Sequence, residues 1–374
     1  MRIVLALGFV LAVAVTVRPC TFCAGSFANR QTLRERAATS AVVVHGTLTA
    51  SRVGPDGLRG ETDFAAMAHL KADAKLGTPT ALTIPQYLPL VGDTPREYLV
   101  FGTVVDGKLD ITGGLTWPTA AAAYAKDVLA LPGDSPTRLA FFFRHLDSAE
   151  AVVAADAFLE FAKASDAEIA AAAKSFDAAK VRRWLADPTT PRERIGVYAL
   201  LLGLTGGRDD ADRFATMLDA TDERTTSNLG GLVAGLTLLD ADRGWNRIAA
   251  IAADGKQPYD RRLAMLNAMR YFAASRPKES KAPLLAIAAR LIPDADVADA
   301  IVEDLRQWQW WDHTDAVLAA FDRPTHRAPI VRQAIVRYAM QCPDDRAKSF
   351  VAKIRLAEPK LVERVEEGLK RLTK

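Results

Sequence analysis

Near the start of the chain, Cys20-Thr21-Phe22-Cys23 places two thiols at the spacing used for disulfide exchange and for half of a zinc site. A redox pair requires a strand-to-helix junction whose helix terminus lowers a thiol pKa, and no strand precedes Cys20. A zinc site requires two more ligands. The third cysteine, Cys342, lies far off in a helical segment, and none of the five histidines is at ligand spacing. The remaining reading is a structural clip at the mature N-terminus, with Cys20 and Cys23 bonded to each other, which an oxidising compartment permits, or free, and Cys342 as a buried helix thiol.

A second concentration of chemistry is Trp308-Gln309-Trp310-Trp311-Asp312-His313, which holds three of the six tryptophans. Consecutive aromatics cannot all face one side of a helix, so at least one is expected to be partly exposed and able to stack on a sugar or a partner side chain. Trp308, Trp310, Trp311 and His313 therefore form the candidate binding surface, against the simpler reading that two of the rings fill an inter-helix core. His313 beside Asp312 has no serine or cysteine nucleophile nearby to complete a triad. The acidic groups Asp209-Asp210-Asp212 and Asp294-Asp296-Asp299 lack the glycine turn and distal glutamate of a calcium loop. Each sits where a helix starts, and there carboxylates offset exposed N–H groups. No phosphate loop, dinucleotide fingerprint, zincin pair or nucleophile elbow occurs. The expectation is no catalytic residue, no metal and no cofactor.

These residues are positioned by elements of two kinds. Met1-Arg2 and the apolar run Ile3 to Val17 have the charge and length of a signal peptide, with Ala12-Val13-Ala14 as a small-x-small cleavage site. Residues 1–19 are read as that signal, making the protein exported: periplasmic, envelope-bound or secreted, with no stable membrane span after cleavage. Val17-Arg18-Pro19 before Cys20 is not a lipobox. The formal charge of +3 on 374 residues provides no basic footprint for nucleic acid.

From Thr190 onward, apolar helical segments restart at a spacing of roughly 32 to 36 residues, in the range of two-helix solenoid repeats. Thr190-Pro191-Arg192-Glu193 has the residues of a capping box. Ile195, Tyr198, Ala199 and Leu202 then recur at helical spacing, Gly206-Gly207 stops them, and Phe214, Met217 and Leu218 mark the partner helix. Comparable pairs begin near Ser227, Tyr259, Asp294 and Arg327. Upstream, Ser148 is expected to cap a helix over Ala149 to Ala164, and Ser165-Asp166-Ala167-Glu168 to form a second capping box. The pair formed by Ile330 to Tyr338 and Asp344-Asp345-Arg346-Ala347 resembles a HEAT repeat, which implies a curved stack with no catalytic residues.

Residues 20–145 read as strands. Ala41 to Leu48 is β-branched and runs toward Gly54-Pro55-Asp56-Gly57. A second strand is expected over Phe64 to Ala74, and Tyr98 to Val105, Asp106-Gly107 and Lys108 to Ile111 make a hairpin. A helix over Thr119 to Leu131 and a strand over Arg138 to Phe143 complete the unit. The early cysteine pair, Val44-His45-Gly46-Thr47, Leu70-Lys71-Ala72-Asp73 and Glu97 to Gly102 together resemble the netrin module and metalloproteinase inhibitors, an OB-fold. In that family the N-terminal cysteines are tied to distant ones, and in the inhibitors the first cysteine's amine and carbonyl reach a protease zinc; no other cysteine lies within this module.

The resulting expectation is an α+β chain, a small OB-like β-barrel over 20–145 followed by a HEAT-like helical array over 148–374. With no catalytic motif in view, it reads as an exported, non-enzymatic scaffold for an unidentified protein partner. The alternative is an envelope polysaccharide module using the tryptophans, and a thiol–disulfide protein or a protease inhibitor are the remaining classes.

Overall fold

A computed structural model describes residues 20–23, 27, 29–55, 60–90 and 96–372. The signal peptide expected at 1–19 and Asp56-Gly57 of the expected turn lie outside these residues. The fold is mixed: a five-stranded antiparallel sheet comes first and a long succession of helices follows.

The sheet comprises β1 (Val42–Val53), β2 (Gly60–Lys71), β3 (Ala81–Ile84), β4 (Glu97–Val105) and β5 (Lys108–Thr116), in spatial order β3-β2-β1-β4-β5. The expected hairpin is β4–β5. Asp106 and Gly107 both have positive φ, 52° and 75°, as a two-residue turn matched to strand twist requires. Alternation along β1 and β4 sends Val43, Leu99 and Phe101 to the helices, and Val42, Val44 and Val100 to the other face. Gly46 sits at a bulge in β1, where a Cβ would lie 2.1 Å from the Ala65 carbonyl oxygen.

The expected closed barrel is not found. No hydrogen-bonded pairing joins β3 to β5 among the described residues, so the sheet is open there. A cavity of about 300 Å³ lies between the two edges, lined by Ile84, Leu88, Tyr98 and Ile111. β3, four residues long and followed by Pro85, is too short to extend the ladder.

A helix α1 (Leu33–Thr39) precedes the sheet, and α2 (Ala122–Ala130) and α3 (Ser135–Phe143) follow it. The strand expected over Arg138 to Phe143 is therefore a helix. Asp134 caps it by accepting from the Thr137 N–H, Pro136 sits in its first turn, and Leu139, Phe141, Phe142 and Phe143 are buried all round it. A five-residue apolar run reads alike as buried strand or buried helix; here the start signal decides. Next come α4 (Ala151–Lys163), α5 (Asp166–Ala172) and α6 (Ala178–Ala186). The Ser165/Glu168 capping box forms. Ser148 does not cap α4; Glu150 holds that position and donates its N–H to the Ser148 hydroxyl. The capping box at Thr190 is also absent, because Pro191 opens a short 3-10 turn and the Thr190 hydroxyl donates to the Trp184 carbonyl.

The remaining helices are α7 (Ile195–Thr205), α8 (Arg208–Asp219), the four-residue α9 (Glu223–Thr226), α10 (Leu229–Leu239), α11 (Ala241–Ala252), α12 (Tyr259–Ser275), α13 (Pro277–Leu291), α14 (Ala298–Trp308), α15 (Thr314–Ala320), α16 (Pro329–Gln341), α17 (Asp345–Ala357) and α18 (Pro359–Leu372). They are compatible with a helical repeat array. α7, α10, α12, α14 and α16 pack side by side as one layer; α8, α11, α13, α15 and α17 lie against them, and α18 packs on α16 and α17. First-layer starts at residues 195, 229, 259, 298 and 329 follow the restarts expected from the sequence.

Two devices hold successive helix pairs in register. Arg182–Asp210, Arg262–Asp294 and Arg270–Asp304 each join one helix pair to the next at 2.5 to 2.8 Å. Buried Asn228 accepts from the Gly196 N–H at 2.9 Å and donates to the Arg192 and Arg224 carbonyls, which ties α10 to the start of α7. One continuous core joins Val43, Leu99 and Phe101 of the sheet to residues as distant as Val365, while Val42, Val44, Leu48, Phe64, Ile84 and Val100 form a separate cluster on the other face. Among the described residues no helix is long and apolar enough to cross a membrane.

Candidate functional site

Cys20 and Cys23 are both buried and unbonded, so the disulfide expected as one alternative is absent; Cys342 is likewise a buried free thiol, at the C-cap of α16. The two N-terminal cysteines belong to a turn closed by the Cys23 N–H on the Cys20 carbonyl. Thr21 donates from its N–H and hydroxyl to Asp166 at the start of α5, at 3.2 and 2.6 Å. Phe22 lies 5.3 Å from the Tyr271 ring, between centroids, and rests over Gly196 and Gly230. The turn is thus a plug seated on α5, α7, α10 and α12. Burial pushes the Cys23 thiol well above its usual range, and the neighbouring Cys20 and Asp166 push it the same way, opposite to what a nucleophilic thiol requires. We expect none of the three thiols to react with Ellman's reagent in the native protein and all three to react in denaturant; one fast native thiol would contradict this seating.

The tryptophans sit where α14 stops. Gln309 adopts a left-handed φ of 58° and the Trp310 N–H returns to the Leu305 carbonyl, an ending that reverses the chain over the helix. Trp308 and Trp310 face each other at 4.9 Å, Trp311 meets the Tyr338 ring edge-on at 4.8 Å, and all three rings are half-buried. Lys281 lies over Trp310 and pairs with Asp312. His313 Nε2 is 2.9 Å from the Leu285 carbonyl oxygen, which ties the turn to α13. Each ring of the expected platform therefore has a partner of its own.

The acidic groups serve helix starts and ion pairs. Asp210 accepts the Gly207 N–H at 2.9 Å and the Nε and Nη2 donors of Arg182, and Asp294 pairs with buried Arg262. No group of three or more His, Cys, Asp or Glu side chains among the described residues is placed to hold a metal.

Two concavities went unseen in the sequence. The first is a groove of about 720 Å³ across α12, α14 and α16. Tyr259 and Ile330 stand at it 53% and 63% exposed. Its floor carries ion pairs, Arg270 with Asp304 and Glu303 with Arg337, and Glu303 also pairs with Arg306, which lies outside the lining. Burial pushes Glu303 up, but the arginines outweigh it and hold the carboxyl below its usual range. Asp299, also lining the groove, has no ion-pair partner among the described residues.

The second is a cleft of about 670 Å³ between the sheet unit and the first helices, drawing on the segment before α1, α1 itself, the end of β5, α4 and the turn before α7. Asp156 of α4 is at its wall and accepts from the Leu33 N–H and the Tyr124 hydroxyl, both at 2.7 Å. Burial raises its pKa to about 6 despite those donors. Because the folded chain holds this proton more tightly than the unfolded one, folding is favoured at low pH and loses that advantage as pH rises from about 4 to about 6. Measured by urea denaturation, Asp156→Asn should therefore gain on the parent over that window and hold a constant difference above it; parallel pH profiles would contradict the assignment. The one sequence signal was Asp156 and Glu160 standing four residues apart in an otherwise apolar helix.

Comparison with models of known protein families and with curated protein sequences finds no match.

Proposed function

We propose that this chain is an exported, non-enzymatic binding protein whose helices form a HEAT-like stack and present the α12–α14–α16 groove to a segment of another protein. The observation that carries this reading is the pair of large apolar side chains, Tyr259 and Ile330, left exposed at one groove between first-layer helices. Exposed aromatic and aliphatic side chains at a concavity are what interface anchors look like before a partner covers them. Solenoids use such inter-repeat surfaces for extended partners. The charged lining has three carboxylates, Asp299, Glu303 and Asp304, against the two guanidinium groups of Arg270 and Arg337. The complementary partner is a peptide segment with an apolar side chain next to a lysine or arginine. Export is supported by the charged start and apolar run of residues 1–17.

The test is selection from a displayed random-peptide library on the immobilised full chain. Enriched peptides should share an apolar residue beside a basic one and should lose roughly tenfold or more in affinity for a Tyr259→Ala/Ile330→Ala variant, whose melting temperature should be unchanged because both side chains are exposed. Failure to enrich, or peptides that bind parent and variant alike, would remove the groove as the docking face.

A further inference from the structure

The array pairs its arginines with carboxylates, as at Arg182, Arg262, Arg270 and Arg337. Among the described residues several arginines depart from this habit, among them Arg144, Arg183, Arg208 and Arg224, but three of the unpaired ones line a single concavity, the junction cleft. Arg30, Arg36 and Arg194 have no carboxylate within 4.0 Å among the described residues. Each instead lies near an aromatic ring: Arg30 over Phe27 at 5.8 Å, Arg36 over Phe101 at 6.0 Å and Arg194 over Phe158 at 5.3 Å. Arg194 also donates to the Leu146 carbonyl at 3.0 Å. The Arg36 Nε is buried without a hydrogen-bond partner.

The cleft's own carboxylates do not neutralise this set. Asp156 is engaged with Leu33 and Tyr124, and Glu193 is exposed at the opening. The walls are otherwise apolar and aromatic, with Phe27, Trp117, Phe158 and Leu115. A volume of about 670 Å³ is that of a small-molecule site, and such sites favour junctions between structural units. Guanidinium forks match the oxygens of phosphate, and several lining one cleft match a dianion better than a monoanion.

We infer that the cleft between the sheet unit and the first helices binds a small phosphate monoester with a flat, apolar body. The phosphate takes Arg30, Arg36 and Arg194, and the body lies against Phe27, Leu115 and Val152, the half-buried apolar side chains of the cleft. This site is separate from the α12–α14–α16 groove, so either can fail without the other.

Isothermal titration of the full chain at low salt, with phenyl phosphate, inorganic phosphate and benzoate as probes, tests it. Phenyl phosphate should bind most tightly, inorganic phosphate more weakly for want of the ring, and benzoate most weakly because one charge is missing. Arg30→Met, which removes an exposed side chain with no ion pair, should weaken phenyl phosphate roughly tenfold while leaving the melting curve unchanged. Arg36→Met should do the same or more. The inference is overturned if phenyl phosphate gives no heat at millimolar concentration, if benzoate equals it, or if Arg30→Met binds it like the parent.

Discussion

Gly231→Leu is expected to unfold the centre of the helical array. Gly231 lies where α10 crosses α7, and an added Cβ would stand 2.5 Å from the Gly196 carbonyl oxygen and 2.6 Å from its Cα. Four residues on, a Cβ at Gly235 would meet the Ala199 carbonyl at 2.7 Å and the Phe214 ring at 2.8 Å. The obstacle is backbone on both sides, so no rotamer change makes room and the helices must separate. Both helices are buried all round, from Ile195 to Gly203 and from Leu229 to Thr237, so separation exposes the middle of the core. Overpacking typically costs about 1–3 kcal/mol; with backbone as the obstacle, a loss on the order of 4 kcal/mol or more is expected in urea denaturation. Gly368→Ala in α18, where a Cβ meets nothing within 4 Å, should instead stabilise by roughly 0.5–1 kcal/mol. A Gly231→Leu variant within about 0.5 kcal/mol of the parent would show that α7 and α10 are not packed backbone to backbone.

Leu266→Pro should have an effect of similar size but a distinctive spread. Leu266 is buried in the middle of α12. Proline there removes a backbone donor and clashes with the preceding turn, on the order of 3 kcal/mol, and loss of the leucine's packing adds roughly 2–5 kcal/mol. α12 packs against α10, α11, α13 and α14, and its Tyr271 seats Phe22. Hydrogen exchange should therefore lose protection across residues 229–308 and in the Cys20–Cys23 turn together. The Tyr98 to Ile111 hairpin shares the continuous core through Leu99 and Phe101, but Tyr98, Val100, Leu109 and Ile111 pack on the separate cluster of Val44 and Phe64 on the far face of the sheet, and through that second attachment it should keep its protection. Loss of protection in that hairpin at the same denaturant concentration would mean that the chain unfolds as one unit.

What the sequence carried and what it hid follow from range. First-layer helix starts were readable because periodicity, prolines and acidic first turns are local, and the β4–β5 turn was readable because Asp106-Gly107 is a two-residue signal. The helix over Ser135–Phe143 was misread because Leu139 to Phe143 has no periodicity to separate strand from helix. Barrel closure depended on contacts between β3 and β5, some thirty residues apart, and no single-residue preference encodes them. The cysteine turn looked like chemistry by spacing, whereas burial against Phe161 and Tyr271 makes it packing. The junction cleft is the extreme case: Arg30, Arg36, Trp117, Asp156 and Arg194 are each unexceptional in their own segment, and only the fold brings them together.

The groove is the centre of the functional account, and the direct measurement is site-specific photo-crosslinking of the full chain in its native setting. A benzophenone amino acid is placed at position 330 or 259 in the groove, or at Leu356 of α17, which is 89% exposed but lies in the second layer. The account predicts one discrete protein adduct from 330 and 259, suppressed by a library-selected apolar–basic peptide, and none from 356. The same adduct from 356, or no adduct from either groove position, would contradict it.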